Sequence, residues 1–399
     1  MSERAPVRDW ATDFDHRDPR WVENPYPIWD ELRRSCPIAQ TERFTGAYFP
    51  SRYADVKTIA YDTEHFSSRR IIVRETRPPL IPAPPITSDP PEHRAAKQVL
   101  LPAFTPEAIV RHEPRTRDIC RALLARFADK DGCDAAVEYA QEIPVRVIAH
   151  MLGVPEQEGD RYRKWIHEIL ELGITDVAVA LRASDEMNAY FAGHIAERRA
   201  RPRDDLIDYL INVRVEGRAL ADEHINGTLR LLLIAGIDTT WSAIGSCLWH
   251  LASHGEDRRR LASEPGLMSS AVEEFLRAYS PVTMAREVVK ETQVGGCTFT
   301  PGHMVLLSFP AANRDPAEFP DADQVVLDRT ENRHAAFGLG IHRCIGSNLA
   351  RMEIRVALDE WLKRIPEFRL DPQAPVTWSQ GTVRGPRRLP LAFGAAAPS

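Results

Sequence analysis

The sequence Ala336-Phe-Gly-Leu-Gly-Ile-His-Arg-Cys-Ile-Gly-Ser-Asn-Leu-Ala350 is the most informative stretch of the chain. It is a glycine-rich loop that brings one cysteine, Cys344, to the start of a predicted helix. A helix N-terminus and the neighbouring His342 and Arg343 lower the pKa of a thiol, so Cys344 is predicted to be available as the thiolate that binds metal. A buried structural cysteine is the alternative. Three glycines let the backbone turn and approach a flat ligand closely: Gly338, Gly340 and Gly346.

This stretch resembles the haem-binding signature of the cytochrome P-450 family. The matching positions are Phe337, Gly338, Gly340, His342, Arg343, Cys344, Gly346 and Ala350. The resemblance implies that Cys344 is the thiolate ligand of the iron of haem b, with Phe337 packed near it, and that electron release from the thiolate favours O–O cleavage. The other cysteines are expected to be structural: Cys36, Cys120, Cys133, Cys247 and Cys297.

Composition and charge exclude several other classes of protein. The chain has 399 residues, of which 43% are hydrophobic and 27% charged, as in a soluble globular protein. The net charge of -6 implies no attraction of the whole molecule to nucleic acid or to an anionic membrane. The cysteines form no C-x-x-C pairs, which argues against a disulfide framework, a zinc ribbon or an iron-sulfur cluster. The first residues do not resemble a signal peptide, so a cytoplasmic location is expected.

Periodicity along the chain predicts a mainly helical protein. Prolines mark an irregular loop over residues 78–91, and helix-forming patterns dominate the chain that follows. A long helix is predicted over residues 222–254 and is interpreted as buried, because acid and hydroxyl groups lie in its middle. Alternating residues over 285–309 predict short antiparallel strands. The resemblance spans roughly residues 25–391 and implies the P-450 fold, a helical prism with small antiparallel β-sheets, with residues 1–399 as a single haem domain.

The long helix carries an acid and an alcohol side by side, Asp238 and Thr239. Thr239 lies four residues after Ala235, so its hydroxyl can bond back to the Ala235 carbonyl and open the helix locally. Taken alone, a polar kink in a core helix is an equally good interpretation. The sequence also resembles the oxygen-activation motif of the family, which implies that Asp238 and Thr239 are catalytic and relay protons.

Further matches concern the fold around the loop and the edge of the haem. Glu274 and Arg277 form an i, i+3 pair that would ordinarily be a surface salt bridge. The resemblance implies that they and Arg329 form a structural cluster instead. Haem propionates need cationic or hydrogen-bonding partners. The resemblance implies four: His93, Lys97, Arg286 and His342. Lys97 departs from the family pattern, in which arginine is common, so a point charge replaces a bidentate fork.

The expected substrate is a modest, largely uncharged organic molecule. By position, the resemblance places five small or mainly apolar residues in the substrate pocket: Ile234, Ala235, Val282, Thr283 and Val383. Arg74 and Arg77, in the proline-rich loop, leave open an acidic group on the substrate. The expected reaction is C–H hydroxylation or O-dealkylation with dioxygen. The alternatives are a hydrogen-peroxide-dependent peroxygenase and a non-catalytic haem gas sensor or carrier, both disfavoured by the predicted proton relay.

Electrons are expected to come from separate proteins, and the enzyme is expected to be a monomer. Only 55 residues follow Cys344 and no Rossmann glycine motif precedes it, so the predicted partners are an iron-sulfur ferredoxin and an NAD(P)H-dependent reductase. Residues 333–355 contain four arginines and one glutamate, which predicts a local charge of +3 that would steer an acidic ferredoxin: Arg333, Arg343, Arg351 and Arg355 against Glu353. The alternative is that these arginines only bind propionates and cap helices.

Overall fold

Helices form most of the protein. The computed structural model describes residues 5–127 and 129–394, and 53% helix confirms the mainly α fold class. The helices in the first part of the chain are α1 (Pro19–Glu23), α2 (Tyr26–Ser35), α3 (Tyr53–Tyr61), α4 (Glu92–Leu100), α5 (Pro106–Val110), α6 (Glu113–Ala125), α7 (Glu142–Leu152), α8 (Gly159–His167), α9 (Gly173–Thr175) and α10 (Val177–Ala200). Those in the second part are α11 (Leu206–Asn212), α12 (Asp222–Ser253), α13 (Gly255–Ser263), α14 (Met268–Ala278), α15 (Phe309–Ala312) and α16 (Ser347–Arg364).

The central helix α12 has 32 residues, which at 1.5 Å per residue makes it about 48 Å long. It begins at Asp222 as the sequence predicts and ends at Ser253, one residue before the predicted end. Helices α7, α10 and α16 pack against it. Among the described residues it is the one helix long and apolar enough to cross a bilayer, but 72% of that window is buried inside the fold. Its apolar composition is therefore explained by its place in the core.

Fourteen short strands form the sheets of the described part of the chain. They are β1 (Ile38–Thr41), β2 (Ala47–Pro50), β3 (Phe66–Ser67), β4 (Gly132–Asp134), β5 (Arg214–Val215), β6 (Arg218–Ala219), β7 (Thr283–Val288), β8 (Thr292–Val294), β9 (Cys297–Phe299), β10 (Met304–Ser308), β11 (Phe368–Leu370), β12 (Thr377–Trp378), β13 (Pro386–Arg388) and β14 (Pro390–Phe393). The largest sheet has the order β1-β2-β10-β7-β3, and β11-β14-β4 form a smaller one.

The pairing in the large sheet differs in one place from the antiparallel prediction. Strands β7 and β10 are antiparallel, with Arg286 opposite Val305, but β10 runs parallel to β2, with Met304 opposite Ala47. A parallel pair needs a long connection along the chain, and here helices α3 to α14 lie between β2 and β10 in the sequence. The sheet thus joins the N-terminal part of the chain to the segment that follows α14.

Residues 78–91 contain neither helix nor strand, as predicted, and they belong to a longer irregular segment, residues 68–91 between β3 and α4, which is here called the proline-rich loop. Proline has no backbone N–H and a fixed φ, so the hydrogen bonds of a helix or a sheet cannot continue through this proline-rich segment. The loop ends at α4, whose His93 is buried beside the cysteine loop.

Glu274 and Arg277, on α14, are fully buried rather than on the surface. Arg277 donates two hydrogen bonds of 2.8 Å to the Glu274 carboxylate, and the Arg329 Nε donates a third at 3.0 Å. Asn332, just before the cysteine loop, donates to the same carboxylate at 3.1 Å. Separating these groups would leave the buried Glu274 charge without its partners, which is costly. The cluster therefore holds the segment leading to the cysteine loop against α14.

Candidate active site

A cavity of about 290 Å³ lies between the middle of α12 and the cysteine loop. Ile71, Ile72, Pro85 and Ile86 of the proline-rich loop line it, together with Leu170 before α9. The predicted pocket residues Ile234, Ala235, Val282 and Val383 are also lining residues. Thr283 is not a lining residue; it is the first residue of β7, and its N–H donates to the Thr382 carbonyl at 2.9 Å. Thr382 lines the cavity beside Val383.

The cysteine loop has a backbone that requires glycine. Gly338 and Gly340 have φ of +72° and +68°, in the left-handed region that side chains disfavour. At Gly340 a Cβ would also lie 2.4 Å from the Ala60 carbonyl oxygen, because α3 packs directly on the loop. The Cys344 N–H donates to the Phe337 carbonyl at 2.7 Å, which closes the loop before α16 begins. Phe337 and Cys344 both line the cavity.

The thiol of Cys344 is less acidic than the sequence predicts. The residue is open to the cavity, but the surrounding protein desolvates the thiol and so raises its pKa, although the backbone N–H of Gly346 and the charges of Lys97, Arg351 and Arg343 act in the opposite direction. The predicted help from His342 is wrong, because burial lowers the pKa of His342 to about 3 and leaves that ring neutral. Cys344 would lose its proton on binding a metal cation, since a coordinating thiol is deprotonated outright.

Basic groups gather at one edge of the cavity, where the sequence predicts the propionate partners. Arg286 is only 4% exposed, and burial lowers its pKa to about 10. The His93 and His342 rings lie 4.3 Å apart, and the Nε2 atom of each is buried without a hydrogen-bond partner in the described structure. Asp89 is the carboxylate that acts on His93 and Arg286, but its own oxygens accept from Ser67 and Ser68. Arg286 and the two histidines thus have more hydrogen-bonding capacity than the protein's own acceptors satisfy, so this edge of the cavity is complementary to an anion.

Lys97 lines the same cavity, but its ammonium makes contacts that the sequence does not predict. Its Nζ donates to the carbonyl oxygens of Ile341 and Arg343, at 2.5 and 2.8 Å. Lysine is a compact donor on a flexible stem, so it can follow the backbone of the loop where a planar arginine fork would not fit as well. Lys97 thus holds the two peptide groups that flank His342, immediately before Cys344.

The Thr239 hydroxyl faces the cavity and donates to the Ala235 carbonyl at 2.8 Å, the bond that their spacing predicts. The predicted local opening of the helix is wrong, because α12 is continuous α-helix through these residues. A carbonyl oxygen has two lone pairs, so it can accept the hydroxyl while it keeps its place in the helix ladder. Ala235 is exposed in the mostly buried middle of the helix because it faces the cavity.

Asp238 is 1% exposed and points away from the cavity lining into an ion pair. Its Oδ1 lies 2.8 Å from Nη2 of Arg387 on β13, and the Nε of Arg387 lies 2.6 Å from Glu171. Burial raises the pKa of Asp238 to about 6, and Arg387 limits the rise. The sequence analysis missed Arg387 and Glu171, since no local spacing relates either residue to Asp238.

Comparisons with known proteins decide the family. A family model described as "Cytochrome P450" matches residues 45–380. Mycinamicin IV hydroxylase/epoxidase of Micromonospora griseorubida is 34% identical over 376 residues, which cover 92% of this chain and 94% of that protein. The chain belongs to the cytochrome P-450 family. Vitamin D(3) 25-hydroxylase of Pseudonocardia autotrophica is likewise 34% identical, over 93% of this chain and 94% of its own.

Solved structures confirm the P-450 fold. A cytochrome P-450 of Bacillus megaterium in complex with testosterone matches with a TM-score of 0.87 and 31% identity, and covers 93% of this chain and 98% of its own. The protein is therefore a P-450 monooxygenase, an oxidoreductase whose cofactor is haem bound through a cysteine thiolate. The cavity fits haem because Cys344 lines its wall and the buried basic groups at its edge can donate hydrogen bonds to two propionates.

The glycine requirement of the cysteine loop is testable with one substitution. Gly340→Ala forces a Cβ against the Ala60 carbonyl at a positive φ, so we expect a lower ratio of haem to protein after purification and a shifted Soret band. The matched control is Gly193→Ala, on an exposed face of α10 with nothing within 4 Å of the added carbon. The control should bind haem as the wild type does and gain about 0.5–1 kcal/mol in stability. Equal haem content in the two variants would contradict this account.

Proposed function

We propose that this P-450 hydroxylates or O-dealkylates a modest, largely uncharged, ring-containing organic molecule. The observation that carries the proposal is the cavity between Cys344 and α12, in which the lining away from the basic edge is almost wholly apolar or hydroxylic. An apolar wall favours apolar substrates by burial and offers no countercharge to an ionised one. Relatives are named for mycinamicin IV, vitamin D(3) and erythromycin, and a solved relative holds testosterone; all are ring-containing molecules.

The two arginines of the proline-rich loop, Arg74 and Arg77, are bound to other parts of the protein, which favours an uncharged substrate. Arg77 lies 3.0 Å from the carboxylate of Glu287, and Arg74 donates to the Gly173 carbonyl at 2.8 Å. Neither lines the cavity. With these contacts in place, the loop presents three isoleucines and Pro85, rather than a guanidinium, to the substrate.

In the proposed site, Cys344 is the thiolate ligand and Phe337 packs beside it. His93, Arg286 and His342 bind the propionates, while Lys97 holds the backbone of the cysteine loop. Bound haem supplies the reductive activation of dioxygen. Glu274, Arg277 and Arg329 keep the approach to the loop in place and take no part in the chemistry.

Thr239 and Asp238 are the proposed proton donors. Thr239 lines the cavity, so its hydroxyl can hold a proton near the reacting oxygen, and Asp238 is the next residue along the helix. Arg387 pairs with both Asp238 and Glu171, and the ring of His167, 56% exposed, lies 3.6 Å from Glu171. Arg387 keeps its own protons, so it holds the two carboxylates in place while Asp238 is the group that exchanges protons. A carboxyl with a pKa near 6 can exchange protons at neutral pH, as a relay requires.

We propose that the enzyme is cytoplasmic and that it receives electrons from an iron-sulfur ferredoxin and an NAD(P)H-dependent reductase. The free thiols of all six cysteines fit a reducing compartment. The net positive charge available for docking is lower than the predicted +3, because Arg351 pairs with Glu273 and Arg355 pairs with Glu113. Arg333 and Arg343 are exposed and form the proposed contact for an acidic ferredoxin.

The docking proposal predicts a rate that depends on salt. The rate constant for electron transfer from a reduced acidic ferredoxin, measured by stopped flow, should fall as ionic strength rises. Arg333→Gln should lower that rate and flatten its salt dependence, whereas Arg333→Lys keeps the charge and should behave as the wild type. A rate that does not respond to ionic strength in any of the three proteins would rule out steering by this surface.

The relay proposal predicts uncoupling in Thr239→Ala. Without the hydroxyl, reducing equivalents should pass into hydrogen peroxide, and product formed per NAD(P)H consumed should fall by about tenfold or more. Thr240→Ala is the control, since Thr240 also lines the cavity but lies outside the acid and alcohol pair. Equal coupling in the two variants would count against the relay. Turnover of the wild type with hydrogen peroxide alone, as fast as with ferredoxin, would favour a peroxygenase.

A further inference from the structure

Two cations contact the cysteine loop: Lys97 donates to its backbone, and Arg351 of α16 contacts one of its aromatic rings. The guanidinium carbon of Arg351 lies 4.4 Å from the centre of the Phe337 ring, within the range of a cation–π contact. Phe337 in turn accepts the N–H of Cys344 through its carbonyl and lines the cavity beside it. One aromatic residue thus connects the Arg351 cation to the cysteine.

Glu273 fixes the position of that cation. The Nε and Nη2 of Arg351 donate to the two oxygens of Glu273, at 2.6 and 2.8 Å, in a fork that sets the plane of the guanidinium. His334 braces the carboxylate, with its Nε2 3.1 Å from Oε2, while its Nδ1 accepts the Ala336 N–H at 3.2 Å. An Nδ1 that accepts leaves the ring proton on Nε2, so His334 donates to Glu273.

Glu273 stays ionised at any working pH. Burial opposes its ionisation, but the hydrogen bonds from Arg351 and His334 outweigh burial and lower its pKa to about 2. The pair is therefore a permanent dipole, with its positive end on the Phe337 ring.

We propose that Arg351 is a positioning residue for the haem centre, whose cation, held on Phe337 by Glu273, stabilises the negative charge of the Cys344 thiolate and so sets the reduction potential of the iron. A cation near the sulfur draws electron density away from the metal and favours the reduced state. Glu273 offsets part of this field. The two partners should therefore act on the potential in opposite directions, which a purely structural ion pair would not do.

The chain contains a matched control pair. Arg355, one turn further along α16, pairs with Glu113 at 2.5 Å, and both residues line the same surface groove as Glu273 and Arg351. In the described structure Arg355 makes no cation–π contact with Phe337, the ring on which the Arg351 guanidinium lies. Changes in this second pair alter the charge of the groove without touching the cysteine loop.

The test is spectroelectrochemical titration of the purified, haem-loaded protein without substrate or ferredoxin. Glu273→Gln should raise the potential and Arg351→Gln should lower it, each by at least threefold in the reduction equilibrium constant, about 30 mV at 59 mV per tenfold for one electron. The double variant should return towards the wild type, and Arg351→Lys should lie between the wild type and Arg351→Gln. Low ionic strength is used because both side chains are 30% exposed.

Two results would overturn the proposal. One is a shift of the same sign in Glu273→Gln and Arg351→Gln. The other is a shift in either variant no larger than those of Glu113→Gln and Arg355→Gln. The carbon-monoxide spectrum of each reduced variant is recorded alongside, because the inference rests on thiolate ligation by Cys344. Loss of the thiolate band in the wild type would instead count against the proposed function. If Arg351→Gln fails to hold haem, Glu273→Gln and Arg351→Lys still decide the sign.

Discussion

The hydrogen bond from the Cys344 N–H to the Phe337 carbonyl is the interaction on which the rest of the site depends. It closes a loop that presents a thiol to a cavity and turns the chain into α16, and it can form only because two residues of the loop have positive φ. Glycine supplies those conformations without strain. The buried Glu274 cluster and the packing of α3 on Gly340 hold the same loop from two sides.

Electrostatics in the site are unbalanced until a cofactor binds. The cavity edge has a buried arginine and two histidines with unpartnered nitrogens, and its wall has a thiol whose pKa is raised by burial. Both features are unfavourable in isolation. A flat ligand with anionic arms at one edge and a metal cation at its centre relieves both, which is why the haem of this family fits the chain so well.

Features that depend on local spacing could be predicted from the sequence. The four-residue spacing of Ala235 and Thr239 predicts their hydrogen bond, and the punctuation by glycine and the single cysteine predict the turn into α16. The pattern of the family adds the Glu274 cluster and the basic edge. These features share a short path along the chain or a signature that fixes their order.

Features that depend on burial or on distant contacts could not be predicted. Arg387 reaches Asp238 from a strand near the end of the chain, and Glu273 neutralises Arg351 from another helix, so a count of charges along the sequence overstates the basic surface. His342 is neutral because of desolvation, which no neighbour in the sequence reveals. Lys97 finds backbone carbonyls that only the folded loop brings within reach.

Ligation of the iron by Cys344 is the central claim, and the carbon-monoxide spectrum of the reduced protein tests it most directly. The wild type and Cys297→Ser, a variant in strand β9, should both show the red-shifted Soret band of a thiolate-ligated complex. Cys344→Ser should lose that band even where it retains haem. A Cys344→Ser spectrum identical to that of the wild type would contradict the account.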